Sequence, residues 1–299
     1  MKPDGQTQTP LQVLLAHLPL ARRTRIVDVG ANPNIGDPPY LALLNVGACD
    51  VVGFEPQPIA FAALAERKSD RETYFPFAVG DGSRKTMNVY RSQGYTSVYE
   101  PYAPGFRVVG GKSWAQIDER IDFDTVALDD QPQIGVFDLL KIDIQGGECD
   151  VFRGGEASMK PAMAVIVELR YFQLYDGEPM MGGVDRELRR QGFSLHKLMF
   201  NQAKPLRNSQ MHRLNNRMVR DQLIDGDAVY VRDLGMISSY SDAQLMHLSV
   251  LAASVFTSHT LVLHCLDDLV RREAAPPNLP GIYVDAMPAD LLRDKLAAE

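Results

Sequence analysis

Cysteine is scarce in this 299-residue chain. Cys49, Cys149 and Cys265 stand far apart, with no CxxC pair and no His/Cys ligand spacing. This excludes a disulfide framework, implies no bound metal, and reads as three reduced thiols in a cytoplasmic protein. Positive charge is also short. Thirty-one Lys and Arg against 38 Asp and Glu leave a formal charge of −7, which argues against broad nucleic-acid or anionic-membrane binding, because both rest on surplus cations. No apolar run approaches the roughly 20 residues that span a bilayer. Leu11 to Ala21 has the look of a signal-peptide core, but Asp4 precedes it, His17 and Pro19 interrupt it, and Arg22-Arg23 follow. It predicts a short amphipathic helix instead. There is no internal repeat.

What remains is the composition of a globular protein, 45% hydrophobic and 23% charged, with ample material for a buried core. The most informative stretch is Ile26 to Gly36, IVDVGANPNIG, read with Val51 to Pro56, VVGFEP. Two β-branched runs separated by a helix-compatible segment predict neighbouring parallel strands joined by a crossover. Asp28 ends the first run, and Gly30, Ala31 and Asn32 keep the following turn slim enough for backbone to approach a ligand. Glu55 ends the second, where a carboxylate can accept both hydroxyl protons of a ribose. The loop is not GxGxxG, since Asn32 stands where a second dinucleotide glycine belongs. Its acidic character suits the cationic sulfonium and amino acid of S-adenosylmethionine better than a pyrophosphate.

Further along, Asp37-Pro38-Pro39 predicts a helix start, with the helix ending at Gly47. Another helix is expected over Pro58 to Lys68, and a third strand over Glu72 to Val79. Met87 to Gln116 is aromatic-rich and broken by Gly and Pro. It reads either as a lid or acceptor-binding insertion or as an added hairpin covering the sheet. Thr125 to Leu128, Phe137 to Ile144, Ala162 to Leu169, Phe193 to Phe200 and Ala228 to Val231 are expected strands, with a helix over Val184 to Gln191. Lys204 to Arg220 carries five Lys or Arg and no acidic residue. It reads either as a contact for an anionic acceptor group or as a solvated face.

From Leu234 the pattern is helical. Ser241 and Gln244 have capping-box spacing, a helix follows at Leu261 to Arg271, a Pro-rich link contains Pro276, Pro277 and Pro280, and a terminal helix is expected near Ala289 to Ala298. The expected organisation is an N-terminal helical segment (1–24), an α/β domain (25–234) and a C-terminal helical extension (235–299). The extension packs either on the sheet or on a partner subunit, the latter giving a homo-oligomer.

Five segments in order, VDVGAN (27–32), GFEPQP (53–58), AVGDG (78–82), LLKIDIQGGE (139–148) and VIVELR (165–170), make the chain resemble the FkbM-type S-adenosylmethionine-dependent methyltransferases. The resemblance implies a doubly wound, Rossmann-like, seven-stranded class I methyltransferase sheet whose last strand is antiparallel. It implies Asp28, Gly30 and Asn32 at the methionine end of the cofactor, Glu55 at the ribose, and Gly80 and Asp81 at the adenine. One departure stands out: Pro33-Asn34-Ile35 separates Asn32 from the next glycine, Gly36, so the turn is longer than is usual in the family.

The implied activity is O-methylation of a hydroxyl on a glycan or other small-molecule acceptor. The alternative is a non-catalytic adenosyl-binding or scaffolding protein. Asp143 and Glu168 are left for the acceptor side, either as general base, with Asp143 alternatively orienting the cofactor ammonium. His196 is the candidate imidazole, or else a semi-buried strand residue. Thr96 and Ser97 are assigned to the acceptor or to a turn, and Tyr171 to an aromatic wall against the acceptor or to packing.

Overall fold

The computed structural model describes residues 8–33, 36–111 and 113–293. They fall into two compact units, one of residues 25–36 and 51–234 and the other of 1–24, 37–50 and 235–299. The N-terminal segment and the C-terminal extension, separate in sequence, thus belong to one unit together with 37–50.

Ten strands run in chain order: β1 (Thr24–Val29), β2 (Cys49–Phe54), β3 (Glu72–Phe75), β4 (Ala78–Gly80), β5 (Arg84–Tyr90), β6 (Ile117–Ala127), β7 (Leu139–Ile142), β8 (Ala164–Arg170), β9 (Phe193–Lys204) and β10 (Gln222–Arg232). Seven form one sheet in the order β3-β2-β1-β7-β8-β10-β9. β1 pairs in parallel with β7, β7 with β8, and β2 with β3, whereas β10 is antiparallel to both neighbours. This is the α/β class expected from the sequence. The central strands are apolar runs because parallel strands covered by helices have no wet face. In β8, Ala164 to Val167, Leu169 and Arg170 are all buried, each Val, Ile and Leu side chain contributing on the order of 1.5–3 kcal/mol.

The expected third strand is two. Pro76 has no N–H to donate, so the ladder stops at Phe75, and Ala78–Gly80 leaves to pair with β6 in a second sheet of order β4-β6-β5. The aromatic stretch builds a satellite core with this sheet. Tyr90, Phe106 and Tyr175 are buried and meet in edge-on and stacked pairs, and Tyr95 stacks on Trp114 at 5.7 Å.

In the helical unit, Pro10–His17 is opened by a Thr9–Gln12 capping box and Asp242–Ser254 by the Ser241–Gln244 box. His259–Arg271 and Leu279–Asp285 follow. The Pro-rich link is therefore itself partly helical, since Pro280 sits in a first turn that needs no donor. Asp37 does not cap: the helix Leu41–Asn45 begins after Tyr40, and Gly47 closes it with a positive φ. Of the expected terminal helix, Ala289–Leu291 is a single 3-10 turn, and 294–299 lie outside the described residues. Cys49, Cys149 and Cys265 are buried and free. Among the described residues no helix is long and apolar enough to cross a membrane.

Candidate active site

Everything expected to do chemistry in parallel sheets gathers at the carboxyl ends of the strands, and the turn after β1 is built first. Gly30 and Ala31 both donate to the Phe54 carbonyl, at 3.0 and 3.2 Å, which ties this turn to the end of β2. Gly30 has φ +80°, and a Cβ there would lie 2.2 Å from the Asp143 carbonyl oxygen. Only glycine fits. Asp28 lies opposite Lys141 in register, and its carboxylate is 3.1 Å from the Lys141 ammonium. That ammonium also reaches the Gly30 carbonyl at 3.2 Å. Burial works against the Lys141 charge, but Asp28 and Asp143 outweigh it and raise its pKa. Asp28 therefore anchors the glycine turn through Lys141.

Glu55 is buried beside this pair and accepts from the Gln57 N–H at 2.8 Å. Burial raises its pKa, with the nearby Asp28 adding to the rise. Gly80 lines a cleft of about 510 Å³ of open space with Gly30, Phe54, Phe77, Met87 and Phe123. The slot is lined mainly by apolar side chains, as small-molecule sites are. Its polar end is Lys85, bonded to Asp150 at 2.8 Å and to Asp81 at 3.4 Å. Asp81 also accepts from the Ser83 hydroxyl, which lowers its pKa. Asn34 and Ile35 of the long turn lie outside the described residues. Pro33, which follows Asn32, and Gly36 stand on either side of them, Gly36 with φ +125°.

Across β7 and β8 stands a second group. Gln145, a non-glycine residue at φ +59°, directs its amide nitrogen at Asp143 (3.0 Å) and Glu168 (2.9 Å). Its left-handed backbone is held by the Ser97 hydroxyl, which donates to the Gln145 carbonyl at 2.6 Å, and by Glu148, which accepts from the flanking Ile144 and Gly146 N–H groups. Glu148 is buried, and that burial raises its pKa.

Arg170 binds the group from below. It donates to Glu178, Asp225, Gln145 and Glu168, at 3.1, 2.5, 3.1 and 3.2 Å. Burial disfavours its charge, but the carboxylates of Glu168, Glu178 and Asp225 outweigh this and raise its pKa. Glu178 is pushed up to about 7 by burial, against the pull of Arg170. Glu168 is raised well above the usual carboxylate range, first by burial and then by Asp143.

Of the residues singled out from sequence, Asp28, Gly30, Ala31 and Glu55 come together at β1 and β2, and Asp143 and Glu168 at β7 and β8. His196 is not with them. It lies on β9, two strands from Glu168, between positions paired with Tyr230 and Val229, whereas Glu168 faces Asp227. Burial lowers its pKa. Ser97 is fully buried in the bond that supports Gln145, and Thr96 accepts from the Tyr90 N–H. The Tyr171 hydroxyl donates to Asn201 at 2.9 Å.

Gln145, Arg170, Glu178 and Asp225 were not singled out. A guanidinium in an apolar strand such as VIVELR was the available signal, because a buried cation demands carboxylates. Among the described residues no cluster of His, Cys, Asp and Glu is arranged to hold a metal ion.

This sheet order with its antiparallel β10, a glycine turn after β1 and a carboxylate after β2 define a class I methyltransferase domain. The Methyltransferase FkbM domain profile matches residues 28–195, so the chain belongs to the FkbM methyltransferase family. It is 26% identical over 163 residues to the 2-O-methyltransferase NoeI of Sinorhizobium fredii (strain NBRC 101917 / NGR234), covering 51% of this chain and 66% of that relative, just under two thirds of its length. Among solved structures, a methyltransferase FkbM from Methylobacillus flagellatus KT aligns with TM-score 0.36 and 12% identity over 70% of this chain and 43% of that one. A putative methyltransferase from Thermoplasma acidophilum aligns with TM-score 0.36 and 12% identity over 72% and 71%.

Proposed function

We propose that the protein is an S-adenosylmethionine-dependent O-methyltransferase acting on a hydroxyl of a glycan or other small-molecule acceptor. The observation that carries this reading is the Gln145 amide bridging Asp143 and Glu168 at the same strand ends that carry the glycine turn. The 2-O-methyltransferase relative supports an oxygen acceptor.

The cofactor fits the residues present. The apolar slot between Phe54, Phe77 and Phe123 takes a flat base, Glu55 accepts from the ribose hydroxyls, and the slim turn at Gly30 leaves room for the methionine end. When bound, S-adenosylmethionine supplies an electrophilic methyl group. Glu168, whose raised pKa gives it proton affinity, would accept the acceptor hydroxyl proton. Gln145 fixes the carboxylate's direction, and Asp143 sets its field. Positioning then supplies most of the rate, since an in-line displacement needs no covalent enzyme intermediate.

The test is incubation with methyl-labelled cofactor and a panel of hydroxylated acceptors. Glu168→Gln is expected to lower kcat by about 10²–10⁴-fold with cofactor affinity largely kept, because Gln keeps the shape while losing the base and one of the charges that face Arg170. In the wild type, kcat/KM rises with pH through a midpoint above the ordinary carboxylate range. Cofactor binding without product from any acceptor would favour the scaffolding alternative, and an active Glu168→Gln enzyme would remove Glu168 from the chemistry.

A further inference from the structure

The connection between β9 and β10 is a basic segment of an acidic chain. From Lys204 to Arg220 it holds Lys204, Arg207, Arg213, Arg217 and Arg220 and no Asp or Glu. None of the five pairs with a carboxylate among the described residues. The same segment exposes apolar side chains: Met218 is 79% exposed, Leu206 44% and Leu214 42%, with Phe200 at 59% on the adjoining strand. Its place is fixed at both ends. Lys204 pairs with Gln222 in the β9–β10 ladder, and its ammonium lies 5.5 Å over the Trp114 ring. The Arg207 N–H donates to the Val108 carbonyl at 2.8 Å. Asp225 of β10 faces Arg170 at the end of β8, so the connection projects from the sheet edge that carries Glu168.

We propose that this connection is a docking surface for an anionic phospholipid membrane. Guanidinium groups match lipid phosphates in geometry and charge, while Met218 and Leu214 enter the boundary between headgroups and acyl chains. The alternatives explain less. A polynucleotide would use the cations but gives Met218 and Leu214 no role. A symmetric contact with a second copy would bring identical cations face to face. That the docked edge presents the site to a membrane-borne acceptor rests on the proposed function; the docking itself does not.

The test is co-sedimentation of the full-length protein with phosphatidylcholine vesicles, with and without phosphatidylglycerol, a readout independent of methyl transfer. Binding is expected only with phosphatidylglycerol and is expected to weaken with salt. Each cation near an anionic leaflet multiplies affinity about fivefold. Arg213→Ala/Arg217→Ala/Arg220→Ala should therefore bind on the order of a hundredfold more weakly, with an unchanged melting temperature because all three are exposed. Met218→Ser should weaken binding without changing its salt dependence. The proposal is overturned by absence of binding to phosphatidylglycerol vesicles, by equal binding to phosphatidylcholine alone, or by a triple variant of wild-type affinity. It is equally overturned if the protein binds a polynucleotide, or dimerises through Met218, while ignoring vesicles. A methyltransferase that ignores vesicles would leave the proposed function standing.

Discussion

Replacing Arg170 with Met removes a buried cation while keeping an unbranched side chain of similar reach. Four hydrogen bonds disappear, and the carboxylates of Glu168, Glu178 and Asp225 lose their shared partner. Breaking a buried ion pair from one side costs about 3–5 kcal/mol, which in a domain of this size is on the order of 10 °C in Tm. The cost must depend on pH. Glu178 is already held up to about 7 in the fold against an ordinary 4.5, so the folded state binds its proton more tightly than the unfolded chain does. The stability this proton contributes is fully present below about 4.5 and is lost as pH rises through about 7.

Without Arg170 the attraction that lowers Glu178 and Glu168 is gone, both rise further, and the window of lost stability extends upward. Urea unfolding of wild type and Arg170→Met at about pH 5 and about pH 8.5 is therefore expected to give a small difference in the acid and the full 3–5 kcal/mol in the base. A difference of the same size at both pH values, or under about 1 kcal/mol at the higher one, would mean that Arg170 does not hold these carboxylates together.

Gly30→Ala places a Cβ 2.2 Å from the Asp143 carbonyl oxygen at φ +80°. The combined strain and backbone shift should cost about 2–4 kcal/mol and weaken cofactor binding in a calorimetric titration; wild-type behaviour would refute the close packing of this turn. Glu55→Ala is expected to weaken cofactor affinity by about a hundredfold through two lost charged hydrogen bonds to the ribose hydroxyls, with no effect on acceptor KM. An unchanged Kd would displace Glu55 from the ribose. Ser97→Ala removes the support of the Gln145 carbonyl, and about 1–3 kcal/mol of stability should go with it. A loss in kcat at unchanged cofactor Kd would accompany it, and an intact kcat would show that Gln145 holds its place without Ser97.

How the site was legible varies residue by residue. Gly30 and Glu55 announce themselves because a slim turn after one apolar run and a carboxylate after the next are local patterns. Pro76 could have revealed the break between β3 and β4, since a missing N–H is also local. Asp28 is different. Its position is readable, but its pairing with Lys141 belongs to two strands that are adjacent only in the sheet. Thr96 and Ser97 look like free hydroxyls in a loop until the fold puts Ser97 against Gln145. His196 reads as a neighbour of the site in a strand beginning at Phe193, but β9 runs antiparallel to β10, and the register carries it away.

What the amino-acid order determined alone is whatever depends on neighbours within a turn or a strand: the apolar runs, the capping box at Ser241, the glycine at Gly30 and the family motifs. The three-dimensional structure decided which charges meet. Arg170, Glu178 and Asp225 are up to 55 residues apart, and electrostatic energy follows distance through space, which chain separation does not report.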